Sequence, residues 1–239
     1  MLKLDHVTKK FGELVAVNDL SFQVEAGQVF GIAGPNGAGK STVYNLITGF
    51  YPFQGRIEFE GRNIAGRQSH EIAKLGIART FQIPQTFPSL TVEQSVGVGS
   101  RFGARGRFDG AYVEAVLEFM ELIPVRHAPT GQLSLLDKKR LMMGAALATR
   151  PKILMLDEPM AGSNTNEIRS LMDSIRKINE EMGITIIIIE HFMKVLTELT
   201  SALLIIETGT KVCLGDPEAV VNDPEVIECY LGDDDAAGD

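Results

Sequence analysis

Polar and apolar residues alternate from Leu2 to Val7, and extended-chain character returns over Leu14 to Val24 and Arg56 to Glu60, with glycines between the segments. Residues two apart share one face of a strand, so these segments predict an antiparallel β layer near the N-terminus. Four other runs are apolar throughout: Val29 to Ala33, Ile153 to Leu156, Ile184 to Ile189 and Leu203 to Ile206. Short runs of this kind suit strands buried on both faces of a mainly parallel sheet. Val29 to Ala33 leads directly into a glycine-rich loop, and Lys40 to Ile47 then takes on helical character, giving strand, loop and helix in that order.

Past this point the periodicity becomes mostly helical until Ile153. Thr91 and Gln94 have capping-box spacing, and Val113, Val116, Leu117 and Met120 form a helical stripe. The pattern predicts a helical subdomain at approximately 88–150, inserted into a single domain that covers 1–239. Asn164 and Glu167 cap a long helix with the stripe Ile168, Leu171, Met172, Ile175, Ile178 and Met182, ended by Gly183. Arg101 to Arg107, with two glycines among three arginines, reads as a solvated loop between helices. The acidic tail at 233–239 reads as flexible.

Composition narrows the class. A chain of 239 residues, 44% hydrophobic and 23% charged, can bury one sizeable core as an ordinary globular protein. Its longest apolar runs are far short of the roughly 20 residues a membrane-spanning helix needs. No basic and apolar leader precedes the first strand, which leads us to expect a cytoplasmic chain. A net charge of −8 argues against a protein that coats nucleic acid. Cys213 and Cys229 lack metal-ligand spacing and read as reduced, structural thiols.

The glycine-rich loop, Gly34-Pro35-Asn36-Gly37-Ala38-Gly39-Lys40-Ser41, followed by Thr42, fits G-x-x-x-x-G-K-[ST] between a strand and a helix. Its glycines let backbone N–H groups face phosphates at a helix N-terminus, whose dipole favours anions. Lys40 is expected on the β- and γ-phosphates of a nucleoside triphosphate, most simply ATP, and Ser41 on magnesium. About 115 residues later, Ile153 to Leu156 delivers Asp157 and Glu158 to the end of a buried strand. Asp157 is expected to hold magnesium through water, and Glu158 to polarise the attacking water.

Over nearly its whole length the sequence resembles the ATP-binding cassette ATPases, the nucleotide-binding subunits of ABC transporters. The resemblance implies an α/β P-loop NTPase core with a mainly parallel sheet, an N-terminal antiparallel β layer and an inserted helical subdomain. It also implies roles that spacing does not assign. Lys10-Phe11-Gly12 is similar to the aromatic loop, which puts Phe11 on adenine, and Thr80-Phe81-Gln82 is similar to the Q-loop, which puts Gln82 near magnesium and the attacking water. Glu190-His191 resembles the switch region, with His191 on the γ-phosphate, and Ala161-Gly162-Ser163-Asn164 lies where the D-loop crosses to a partner ATPase. Arg79-Thr80-Phe81-Gln82, Leu90-Thr91-Val92-Glu93 and the segments from Gly215-Asp216-Pro217 to Tyr230-Leu231-Gly232 resemble importers of branched-chain amino acids, urea and amides.

One segment departs from the family pattern. In these dimeric ATPases the partner's phosphate loop is closed by a signature, L-S-G-G-Q or, in the branched-chain group, L-S-Y-G-Q; here the segment is Leu133-Ser134-Leu135-Leu136-Asp137. Ser134 is kept and can cap a helix with Asp137. Leu136 replaces a glycine where backbone must approach phosphate, and Asp137 adds a like charge. Two unit charges about 6 Å apart at an effective dielectric of 20 repel by roughly 3 kcal/mol.

The resemblance therefore implies a magnesium-dependent ATPase subunit on the cytoplasmic face of an inner membrane. Its partners would be transmembrane permease subunits, a second ATPase subunit in a homo- or heterodimer and, indirectly, a periplasmic solute-binding protein. Branched-chain amino acids or similar small polar solutes would be the cargo. The alternative is a nucleotide-binding but weakly active partner subunit. A soluble ATPase acting on nucleic acid is disfavoured, because the chain has one cassette and no coiled-coil insertion.

Overall fold

The computed structural model describes residues 1–103 and 106–234, so the acidic tail beyond Asp234 and the middle of the Arg101 to Arg107 loop lie outside the described residues. The chain begins β1 (Leu2–Phe11), β2 (Leu14–Val24), β3 (Val29–Ala33), α1 (Lys40–Ile47), β4 (Gln54–Phe59), β5 (Arg62–Asn63), α2 (Ser69–Leu75) and β6 (Ile77–Arg79). Helices α3 (Val92–Phe102), α4 (Gly110–Phe119) and α5 (Leu135–Ala148) follow, then β7 (Ile153–Asp157) and α6 (Thr165–Met182). It continues through β8 (Thr185–Ile189), α7 (Met193–Leu199), β9 (Ala202–Glu207), β10 (Thr210–Gly215), α8 (Pro217–Val221) and α9 (Pro224–Asp234). Two compact units result: Met1–Ser69 with the chain from Thr185 onward, and His70–Ile184.

In the first unit, β1 lies between β2 and β4, antiparallel to both, and β5 pairs with β4. Leu2 and Leu4 are buried, as their alternation predicts, and Val7 is buried after a register shift between Leu4 and Val7, where His6 has φ 49°. β1 continues past the expected end at Val7 to Phe11, because Lys9, Lys10 and Phe11 still find partners on β2. β4 instead stops one residue short of the expected Glu60. Glu60 turns out of the strand at φ 50° and donates its N–H to the Met1 carbonyl at 2.8 Å.

The same unit carries a second layer. β3 runs parallel to β8 on one side and β9 on the other, with β10 antiparallel along β9. Every residue of β3 and β8 is buried, which explains why both lack polar alternation. Each isoleucine so buried contributes roughly 2 kcal/mol. Phe22 of β2 and Phe30 of β3 stack at 5.4 Å and join the two layers. Tyr44, fully buried, donates its hydroxyl to the Ile187 carbonyl at 2.7 Å and seats α1 on β8.

In the second unit, β6 and β7 pair in parallel with Ala78 opposite Leu154 and Arg79 opposite Met155. α5 packs against α3 and α4, and Val113, Val116, Leu117 and Met120 are buried. Thr91 and Gln94 form the reciprocal capping box at the start of α3. Asn164 and Glu167 do the same at α6, which ends at Gly183 with φ 66°. Leu171, Met172, Ile175 and Ile178 are buried, while Ile168 and Met182 at the ends of the stripe are half-buried. The segment 88–150 contributes α3, α4 and α5 to this unit, which also takes in β6, β7 and α6. Among the described residues, no helix is long and apolar enough to cross a membrane.

Candidate functional site

β3 ends at Ala33, and the next six residues form a tight loop into α1. Two glycines are obligatory. Gly34 has φ 148°, and a Cβ there would lie 1.9 Å from the Ile206 carbonyl oxygen; Gly39 has φ 100°, and its Cβ would lie 2.4 Å from the Ala16 carbonyl oxygen. No side chain would fit either position. Gly209 donates its N–H to the Ala38 carbonyl at 2.9 Å, which fixes the loop from outside.

No side chain caps the N-terminus of α1, and no acidic residue occupies its first turn. The orphan amides and the dipole of that turn therefore favour an anionic ligand. Lys40 is buried and curls over the loop, its ammonium donating to the Gly34 and Pro35 carbonyls at 2.6 and 2.7 Å. Asn36, Gly37 and Ser41 are exposed, Thr42 is half-buried and Ala38 is buried. A ring of amides, one ammonium and an exposed hydroxyl suits a polyphosphate carrying a hard cation.

Elsewhere in this unit, His191 is exposed just after β8, and its backbone N–H donates to the Glu190 carboxylate at 3.3 Å. Phe11 ends β1 with 40% of its surface exposed. Its ring meets Tyr51 edge-on at 5.1 Å, and the Lys9 ammonium lies 4.7 Å from the Phe11 ring and 5.5 Å from the Tyr51 ring. Sequence reasoning did not single out Tyr51 or Lys9, because neither belongs to a motif.

The second unit brings the two carboxylates together with the Q-loop segment. Asp157, at the end of β7, is paired with Arg79 at 2.7 Å, and both side chains are more than nine-tenths buried. The parallel pairing of β6 with β7 sets this contact, and the Thr80 N–H extends it by donating to the Met155 carbonyl at 2.9 Å. Glu158 adopts φ 45°, uncommon for a residue with a side chain and a feature often found at working sites. The Gln82 amide donates to its carboxylate at 2.5 Å. Arg79 also lies 5.0 Å from the centre of the Phe81 ring. Thus Gln82, Asp157 and Glu158 are neighbours, and Arg79 joins them as a group the sequence reading had quoted without assigning a role.

Ser134 caps α5 in the same unit. Its oxygen accepts the Asp137 N–H at 3.1 Å, and its hydroxyl donates to the Asp137 carboxylate at 2.7 Å. Leu136 and Asp137 are half-buried, and Leu135 is exposed. The anion at this helix terminus is thus supplied by the chain's own Asp137.

The sequence pattern of the ABC transporter family matches residues 17–161, more than half of the chain. The chain belongs to that family. A further pattern, that of the branched-chain amino acid ATP-binding cassette transporter, matches residues 210–236. The cassette is 35% identical to the high-affinity branched-chain amino acid transport ATP-binding protein BraF of Pseudomonas aeruginosa, over 98% of each chain. It superposes on the ADP conformation of MJ1267, an ATP-binding cassette of an ABC transporter, with a TM-score of 0.87 and 31% identity, covering 97% of this chain and 98% of that one. It also superposes on the dimeric structure of MJ0796, a bacterial ABC transporter cassette, with a TM-score of 0.81 and 25% identity, covering 91% of this chain and 99% of that one. The expected α/β architecture and the nucleotide-binding, ATP-hydrolysing class both follow from membership.

Proposed function

We propose that the cassette drives import of branched-chain amino acids or similar small polar solutes, binding MgATP through Gly34 to Thr42 and hydrolysing it with Glu158. The observation that carries the binding half is the uncapped terminus of α1 behind Gly34, Gly39 and the curled Lys40. Lys40 would exchange its carbonyl partners for phosphate oxygens, and Ser41 and Asp157 would hold the cation with Gln82. Among the described residues there is no cluster of three His, Cys, Asp or Glu, consistent with a magnesium shared with phosphate oxygens. Glu158, oriented by Gln82, would accept the proton of the attacking water, and His191 would steady the γ-phosphate. Phe11 would stack on the base.

The cargo follows from the match at 210–236 and from the relative BraF, whose similarity runs from end to end. Permease subunits and a second cassette are the implied partners, with a periplasmic solute-binding protein upstream, and the cytoplasmic face of the inner membrane is the implied location. Nucleotide binding tests the assignment. Lys40→Ala is expected to weaken ATP affinity by at least tenfold in a fluorescence titration, about 1.4 kcal/mol. Unchanged affinity would contradict it.

The Ser134–Asp137 pair favours a second feature of the same function. The signature end of α5 already holds a carboxylate where a partner's γ-phosphate would need to sit. The site this chain completes on its partner would therefore be weak, while its own phosphate loop remains competent. In a homodimer both sites suffer; in a heterodimer only one does.

A further inference from the structure

Leu135 and Lys139 stand four residues apart on one face of α5. Both meet the turn that follows Glu158. Lys139 is only 3% exposed, and its ammonium donates to the Ala161 carbonyl at 2.5 Å and to the Ser163 hydroxyl at 2.7 Å. A Cβ on Gly162 would lie 3.4 Å from a Leu135 methyl carbon, so Leu135 covers the crest of the same turn. The turn is closed by the Ala161 N–H on the Glu158 carbonyl at 3.2 Å and by the Ser163 N–H on the Met160 carbonyl at 3.0 Å. It passes straight into Asn164, the cap of α6.

A lysine is almost never this buried unless its charge is engaged. Here two of its partners are the turn's own acceptors. Glu158 stands at the start of that turn in a positive-φ conformation that its surroundings must hold in place. The hydrogen-bonded path runs from Glu158 through Ala161 to Lys139, and α5 carries it to Ser134.

We propose that Lys139 is a positioning residue: it clamps the turn at 158–163 onto α5, so that the Glu158 carboxylate and the signature end of the helix move as one piece. The proposal rests on Glu158 being the base. Its effect belongs in turnover rather than in nucleotide affinity, because the phosphate loop is not part of the clamp. Arginine can keep the donors, whereas methionine keeps the length and loses them.

The test compares the wild-type cassette with Lys139→Met, Lys139→Arg and Ser163→Ala, reading kcat, KM, ATP affinity and amide hydrogen exchange. Lys139→Met is expected to lower kcat roughly 10- to 100-fold, as a small misplacement of a reacting group does, with ATP affinity within about twofold. Exchange should rise at 158–163 and stay unchanged in α3 and α4. Ser163→Ala should shift both readouts less, Lys139→Met combined with Ser163→Ala should be no slower than Lys139→Met, and Lys139→Arg should recover part of the rate. A wild-type kcat with exchange at 158–163 unchanged in Lys139→Met would overturn the proposal, as would a rise in exchange spread evenly over the unit. A normal rate in Glu158→Gln would instead overturn the assignment of Glu158, and with it the catalytic part of the clamp's role.

Discussion

His6 and Asp19 face each other across β1 and β2, both at positive φ, with the imidazole 2.7 Å from the carboxylate. The hydrogen bond to Asp19 and the charges of Asp19 and Asp5 raise the His6 pKa, against desolvation and the nearby Lys3. A raised folded value means that the pair's contribution is fully present below the unfolded value of about 6.5. It is lost as pH rises through the higher folded value. An NMR titration should therefore place the His6 midpoint above that of an unstructured histidine, and Asp19→Asn should bring it down. Equal midpoints in the two proteins would refute this. Both side chains are largely solvent-exposed, so the effect belongs in the titration more than in the melting temperature.

Other single residues show where sequence reading reaches its limit. Lys40, Asp157 and Glu158 stood out in sequence because phosphate chemistry calls for those types at those spacings. Arg79 was not, because its role depends on which strand β6 pairs with, and a three-residue strand leaves no periodic trace. Lys139 sits in the charge run Lys138-Lys139-Arg140, which resembles a solvated face. Its position between Leu136 and Met143, at spacings of three and four, was the available signal that it points inward.

At the scale of elements, the long apolar patterns were the most legible. β2, β3, α1 and α6 form where their periodicity puts them, and the caps of α3 and α6 are made by the residues their spacing indicated. β10 escaped because its residues mix polarity and none is fully buried; it is fixed by the hairpin at Thr208 and Gly209, both at positive φ, and by pairing with β9. α5 holds the element-scale prediction. Its terminus is capped by Ser134 and filled by Asp137, a combination that satisfies the helix and, on the proposal above, would compete with an incoming phosphate. Leu136→Gly with Asp137→Gln is expected to raise steady-state ATPase activity by several-fold or more, given a repulsion of up to roughly 3 kcal/mol. An unchanged rate would refute the idea that this terminus is self-blocked.

Across the whole molecule, each of the two units carries its own set of candidate groups. The first unit holds Lys40 and Ser41 at the uncapped start of α1, and in the second unit Gln82 meets Glu158 while Arg79 pairs with Asp157. Family membership makes the chain a cassette of an ABC transporter, and the resemblance already visible in its motifs extends over 98% of the BraF chain. Of the three altered signature positions, Leu135 meets the turn after Glu158, and Lys139, four residues on, binds Ser163 of the same turn. That contact is invisible in sequence, where the two segments lie more than twenty residues apart. The central claim is that ATP bound by the phosphate loop is hydrolysed with Glu158 as the base. Phosphate release by purified wild type and Glu158→Gln, at equal occupancy by MgATP, tests it most directly. The account predicts wild-type ATP affinity in Glu158→Gln with turnover reduced on the order of 100-fold or more; turnover equal to wild type at the same occupancy would contradict it.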